Sequence, residues 1–246
     1  MKENIYTKEL EDSYIYQKWV NEIWPTMTKK DKDLHDSLVR EICAAGIDIR
    51  FTFQIPLLDR KEKYKITPIV IPYIDKFDRM QSSNGLINYI GEKGNYIATD
   101  FLIEEFKKPN IFHRQITDDM SERQKDIIWN GSRRWAVSNS LLIINDKSRL
   151  DQYIELINDK DTHDDCVFII ELVGKIKTQK SWDCLIGLLD DDNFRLVASA
   201  LEMIKYYYKD HYEEIEEKSK MFLESDNKLL KEIATKNMKH IQKHKK

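Results

Sequence analysis

Between Ser181 and Ile204 the apolar positions recur twice at helical spacing, with one polar break between them. Trp182, Leu185, Ile186 and Leu189 fall at i, i+3, i+4 and i+7, which is a single apolar stripe along a helix. Phe194, Val197, Ala198 and Leu201 repeat that spacing after the break at Asp190–Asn193. Upstream, Cys166, Ile169, Ile170 and Val173 do the same and stop near Gly174. Ser181 and Asn193 are placed to cap the second and third of these helices. The links at Lys177–Lys180 and Asp190–Asn193 are so short that neighbouring helices must run antiparallel.

The same pattern extends in both directions. Ser148–Asn158 reads as a helix, with Ser148 and Asp151 in the places of a capping box. Asn95–Lys108 and Tyr212–Ser225 read as helices too. Thr67–Phe77 is another, with Pro68 in its first turn and Pro72 as a kink or an early end. The apolar centres Val70, Leu102, Ile154, Ile186 and Phe222 are separated by 32, 52, 32 and 36 residues. A second helical pattern lies between each pair. The long step holds an insertion, Pro109–Gln124. Two helices per unit at a period of about 30–45 residues predict an α-solenoid, in which each unit buries its face only against the next. The expected fold is therefore all-α: an α-α superhelix of antiparallel helix pairs. It forms a single domain over 1–246, with N-terminal helices and a cap at 1–64 and repeats at 65–246.

One stretch breaks the pattern. In Ile47–Ile55, apolar Ile47, Ile49, Phe51, Phe53 and Ile55 alternate with polar Asp48, Arg50, Thr52 and Gln54, the period of a strand. A lone strand has no pairing partner. The segment is expected as an extended link against the first helices, or as an edge for a partner's strand.

The segment LIGLLDDDNFRLVASALEMI resembles a HEAT repeat: an apolar helix, an Asp-rich turn, then an Arg and an Ala-rich helix. Three further pieces resemble bacterial HEAT-repeat proteins of undetermined function. They are Leu38–Ile49, Phe101–Lys108, and the run from Arg134 with Trp135, Ala136 and Asn139. The resemblance spans roughly Leu38 to Ile204. It departs at Glu202, where the repeat usually has Gly, and over Phe51–Leu58. It implies a solenoid scaffold and brings no catalytic residues with it.

Composition fits a layered helical chain. Of 246 residues 34% are charged, with only 7 Gly and 5 Pro, too few for a β-sandwich with many tight turns. A net charge of −3 gives no basic footprint, so nucleic acid is an unfavoured partner. Cys43, Cys166 and Cys184 are odd in number and far apart, as expected of thiols in a reducing compartment. The N-terminal residues form no signal-like apolar run, and no stretch approaches the roughly 18 apolar residues of a membrane span. The expectation is a cytoplasmic protein that engages no membrane.

Candidate chemistry is sparse. Asp190, Asp191 and Asp192 lack the oxygen spacing, Gly and distal Glu of a calcium loop, so they read as a turn before a helix N-terminus. His240 and His244 sit at i, i+4, but in a Lys-rich tail where cations complement the helix end. No phosphate loop, dinucleotide fingerprint or nucleophile elbow occurs, and no cofactor is expected. Cys166 and Cys184 lie on apolar faces and read as core.

Two features suggest binding. Trp129, Arg133 and Arg134 form an aromatic and cationic cluster of the kind enriched at interfaces. The second helices of successive pairs, which usually line a solenoid's concave face, carry acids outside their apolar stripes. These are Asp100, Glu104 and Glu105; Asp151 and Glu155; Asp183; and Glu213, Glu214, Glu216 and Glu217. They make either a solvated face or a surface for a basic protein partner. Glu104, Glu155, Asp183, Trp129, Arg133 and Arg134 are thus the candidate partner-binding residues. The leading reading is a non-enzymatic protein-binding scaffold, one version being an immunity or antitoxin protein that covers a toxin. The rival is a HEAT-like DNA glycosylase acting on alkylated bases, with Trp129, Trp135 and Asp146 in the site. It would need a basic groove that the acids oppose.

Overall fold

The structure is a computed structural model that describes residues 13–109, 119–121, 123–124 and 132–244. Among these residues there is no strand, and the chain forms twelve α-helices joined by short 3-10 turns. They are α1 (Tyr14–Lys18), α2 (Lys29–Ala44), α3 (Arg60–Val70), α4 (Met80–Ile90), α5 (Thr99–Lys107) and α6 (Arg133–Ile144). Then follow α7 (Leu150–Asn158), α8 (Val167–Ile176), α9 (Gln179–Gly187), α10 (Phe194–Ile204), α11 (Tyr208–Met221) and α12 (Lys228–His244). The fold is all-α. Contacts divide the chain into two compact units, Met1–Leu102 and Ile103–Lys246. That division falls inside α5, whereas the apolar spacing places a boundary near residue 64.

In the first unit α2 packs on α3 and α3 on α4. Asp59 caps α3 by accepting from the Glu62 amide, and Glu62 returns the bond in a full capping box. The helix therefore starts at Arg60, well before the Thr67 that the apolar pattern suggests. Pro68 lies inside α3, and Pro72 opens the 3-10 turn Ile71–Tyr73 that ends it.

The alternating segment is half extended and half helical. Ile47 and Ile49 point inward and Asp48 and Arg50 outward, as the period of two requires. At Thr52 the chain turns into a 3-10 helix, Thr52–Leu57, and Thr52, Phe53, Gln54 and Ile55 are all buried. The Gln54 side chain starts this turn by accepting from the amides of Arg50 (2.7 Å) and Phe51 (2.9 Å). Those amides are thereby bonded within the chain, so the residues do not present a strand edge.

The second unit has a plain internal order. α8 packs on α6 and on α10, and α10 packs on α12. α7 and α9 lie against α8, α9 also against α10, and α11 against α12. Even-numbered helices thus form a continuous inner row with the odd-numbered ones beside it. The middle of that row is apolar almost all round: eight residues of α10, Leu196 to Ile204 without Glu202, are buried. Side-chain bonds cross the row at a regular interval. Arg134 reaches Asp165, Ser199 reaches the Val167 carbonyl, and the Asn193 amide reaches Asp164. Their sequence separations are 31, 32 and 29 residues.

Caps agree in part with the sequence reading. Asn193 caps α10 by accepting from the Arg195 amide. α9 is capped by Thr178 instead of Ser181, which is buried in the first turn and bonded to the Thr178 hydroxyl at 2.9 Å. Ser148 does not cap α7 either. It belongs to a 3-10 turn that Asp146 caps, and its hydroxyl donates to Asp146 at 2.6 Å.

α8 and α10 approach closely because residue 174 is Gly. A Cβ there would stand 2.6 Å from Met203 Cβ and 2.8 Å from its Cγ. Since Cβ is fixed to the α10 backbone, relief requires the two helices to separate. Gly174→Ala is expected to cost about 1–3 kcal/mol by overpacking, against the small gain in helix propensity. Urea unfolding of wild type and the single variant checks this: an unchanged midpoint would show that the two helices separate without cost.

Candidate functional site

α7 and α9 stand side by side and turn their apolar faces toward the inner row. Tyr153, Leu156 and Ile157 of α7 and Trp182 and Leu185 of α9 are buried. Their polar faces carry Asp151, Glu155 and Asp183, all exposed. Between the helices and the turns beyond them lies an open groove of about 700 Å³. Ile154, Ile157 and Leu188 floor it, and Asp164, Asp183, Asp191, Lys160, Lys180 and His163 supply its charge.

His163 is wired at both nitrogens. Nδ1 is 2.6 Å from the Ile157 carbonyl, and Nε2 is 2.8 Å from Asp191 Oδ2. Both neighbours are acceptors, so the ring is a donor on both sides. Burial alone would lower its pKa. The Ile157 carbonyl and the Asp191 and Asp164 carboxylates outweigh that and raise it. The turn at Asp190–Asp192 is held from both sides. Asp191 accepts from His163 and from the Asn193 amide at 2.8 Å, while Asn193 donates to Asp164 at 2.8 Å. This is the structural role that the spacing of the three aspartates suggests.

Such a histidine has no free nitrogen to take a proton from a substrate. The nearby thiols are poor nucleophiles as well. Burial pushes Cys184 up to about 11 and holds Cys166 well above the usual thiol range, helped by Asp165, so both stay protonated at neutral pH. Among the described residues no three His, Cys, Asp or Glu side chains are grouped to hold a metal. His240 and His244 do meet, with ring centroids 4.5 Å apart, and Tyr208 packs on both. Burial, and beside it the neighbouring His244, Lys205 and Lys243, lower the His240 pKa.

The candidate binding residues separate into three groups. Glu104, Glu155 and Asp183 are exposed. Glu104 pairs with Lys107 at 2.7 Å, and Asp183 accepts from Gln179 at 2.8 Å. Asp151 beside them pairs with Lys180 at 2.7 Å, so lysines interleave the acidic row. Glu105 is not part of that surface: it is 2% exposed and holds Arg133 and Lys108.

Arg134 is an internal residue. Only 4% exposed, it donates to the carbonyls of Phe106, Lys108 and Asp161 and to Asp165 Oδ2. A partner has no access to it. Arg133 is half-buried on Glu105, and Trp129 lies outside the described residues. Trp135 packs edge-on against Phe168 at 5.8 Å, and Asn139 is half-buried. Asp146 is buried and spends one oxygen on the Ser148 amide and hydroxyl. Of the residues that a base-excision site would use, Trp135 is thus engaged in packing and Asp146 in capping, while Trp129 is not among the described residues.

The tie from His163 to Asp191 escaped the sequence reading because nothing local links residues 28 positions apart. The repeat period of about 30 residues was the one available signal: it places the two turns next to each other. No known protein family matches the chain, and no curated protein matches it.

Proposed function

We propose that the chain is a non-enzymatic, HEAT-like binding scaffold that engages a basic protein partner across the polar faces of α7 and α9. The observation that carries this reading is the groove between those helices, lined by the exposed acid Asp183, with Glu155 exposed on the polar face of α7. The inner row is packed, so the polar faces of α7 and α9 are open to a partner. Lys160, Lys180 and His163 offset the carboxylates of Asp164, Asp183 and Asp191 in the groove, so complementarity would rest on the pattern of charges and on the exposed acids outside it, not on the net sign of the groove.

Each exposed charge alone is worth little, under about 1 kcal/mol. The combined reversal Glu104→Lys, Glu155→Lys and Asp183→Lys is expected to weaken a captured partner at least tenfold at low salt. Helicity and melting should be unchanged, because all three positions are exposed. The partner is captured from the cells that make the protein, and affinities of wild type and triple variant are compared at low and moderate salt. Equal affinities, without salt dependence, would mean these acids are only solvated surface.

A further inference from the structure

In the first unit three departures from ordinary helical construction converge on one cavity of about 540 Å³. The first is a π-helical turn, Trp19–Ile23, that brings Trp19 and Ile23 into its wall. Such turns occur mostly as local insertions and are frequent at functional sites. The second is Gly85, in the middle of α4. It lines the cavity, and a Cβ there would meet nothing closer than the Tyr89 hydroxyl at 3.9 Å. A mid-helix Gly is less favourable than Ala, so here the missing side chain is room.

The third is His35. It is 4% exposed and lines the cavity; Thr52 Oγ1 sits 2.7 Å from its Nδ1, yet its Nε2 has no partner among the described residues. The buried Trp19 Nε1 is also without one. Unpaired buried polar atoms are rare and costly, and local rule-breaking of this kind concentrates where a chain has a task besides folding.

The walls define what would fit. Trp19 and Phe53 pack with centroids 5.4 Å apart, Trp19 meets His35 edge-on at 5.2 Å, and Tyr89 and Leu86 line the α4 side. The solvent edge carries exposed Lys18 and Glu22 and half-buried Arg79. His35 is neutral near pH 7, because burial holds its pKa at about 4. The lining therefore has one more cation than anion. Arg79 commits one nitrogen, Nη1, to Thr26 Oγ1 (2.7 Å) and the Ile23 carbonyl.

We propose that this cavity binds a planar aromatic ligand that bears an anionic group. Its ring lies against Trp19 and Phe53, and its charge faces Arg79 and Lys18. Aromatic walls with a few convergent polar groups, at this volume, are the ordinary composition of a small-molecule site. The inference is independent of the protein-binding face, which lies in the other unit.

The test titrates the full chain with 8-anilinonaphthalene-1-sulfonate and with its uncharged relative N-phenyl-1-naphthylamine, by fluorescence and calorimetry. The expected result is one sulfonate probe per chain, bound at least tenfold tighter than the uncharged one. Gly85→Leu should weaken the sulfonate probe at least tenfold with helicity and melting unchanged. Lys18→Gln should narrow the gap between the two probes. Should Gly85→Leu fail to fold, Gly85→Ala, which favours the helix, must show a smaller loss in the same direction. Several probes per chain, equal affinity for the two probes, or a Gly85 variant that binds like wild type would overturn the proposal.

Discussion

Replacing Arg134 with alanine is expected to destabilise the second unit by about 3–5 kcal/mol, a large share of the roughly 5–15 kcal/mol that holds an ordinary domain folded. The guanidinium is 5% exposed and Asp165 only 1%. Removing the cation strands a buried carboxylate, which costs far more than the pair itself contributes. It also strips donors from the carbonyls of Phe106, Lys108 and Asp161, the first of which belongs to a fully buried residue. These carbonyls lie at the end of α5 and in the turn after α7, so Arg134 ties two successive inter-helix turns together. Arg134→Lys should recover little, because one ammonium cannot reproduce a planar fork of donors. Arg134→Met with Asp165→Leu should recover a substantial part, since no charge is then left unpaired. Denaturant unfolding of the four proteins measures this. A loss under about 1 kcal/mol for Arg134→Ala would show that the arginine is not the staple its geometry describes.

The first unit is expected to lose about 3 kcal/mol of stability as pH falls from 6.5 to 4, through His35 alone. Burial is the main cause of its lowered pKa, and the Asp31 carboxylate opposes it only in part. The sign follows from the direction. Above pH 6.5 the ring is neutral in both folded and unfolded chains and contributes no slope. Between 6.5 and about 4 the unfolded chain binds a proton that the folded chain does not, so stability falls with pH. Below that both are protonated and the slope ends. His35→Phe keeps a flat ring beside Phe77, 4.6 Å away in the native protein, but leaves the buried Thr52 hydroxyl without its partner. The variant should start less stable by about 1–3 kcal/mol and lose this part of the acid dependence. Unfolding monitored at Trp19 and Trp24 across the range checks it. An unchanged slope in His35→Phe would assign the acid sensitivity to other groups.

Helix existence was legible because it depends on spacing alone. The stripes over 182–189 and 194–201 settle into α9, its closing 3-10 turn and α10, and Asn193 caps where a short polar acceptor before an apolar run should. Ends were less legible where two acceptors compete. Thr178 and Ser181 both have hydroxyls of the right reach, and the structure bonds them to each other. The strand period at Ile47–Ile55 is a genuine burial pattern as far as Arg50. Beyond that point Gln54 folds back onto two amides and converts alternation into a turn, an event no binary pattern encodes.

Arg134 and His35 were misread or missed for one reason. A charged or titratable residue reads as surface unless its partners are visible, and these partners lie 26 or more residues away for Arg134 and 17 for the hydroxyl beside His35. The exposed acids on α7 and α9 were legible because an amphipathic helix declares its outer face by subtraction. Whether their charge is compensated was not, since Lys180 reaches Asp151 from the next helix of the row.

The most direct test of the binding-scaffold account is amide hydrogen exchange of the full chain, with and without its captured partner. Protection on binding is expected at the ends and exposed sides of α7 and α9, over Leu150–Lys160 and Gln179–Asp191. The inner row α6, α8 and α10 should stay unchanged, already protected by packing. Protection confined to the first unit, or to α11 and α12, with α7 and α9 exchanging as in the free chain, would contradict the account.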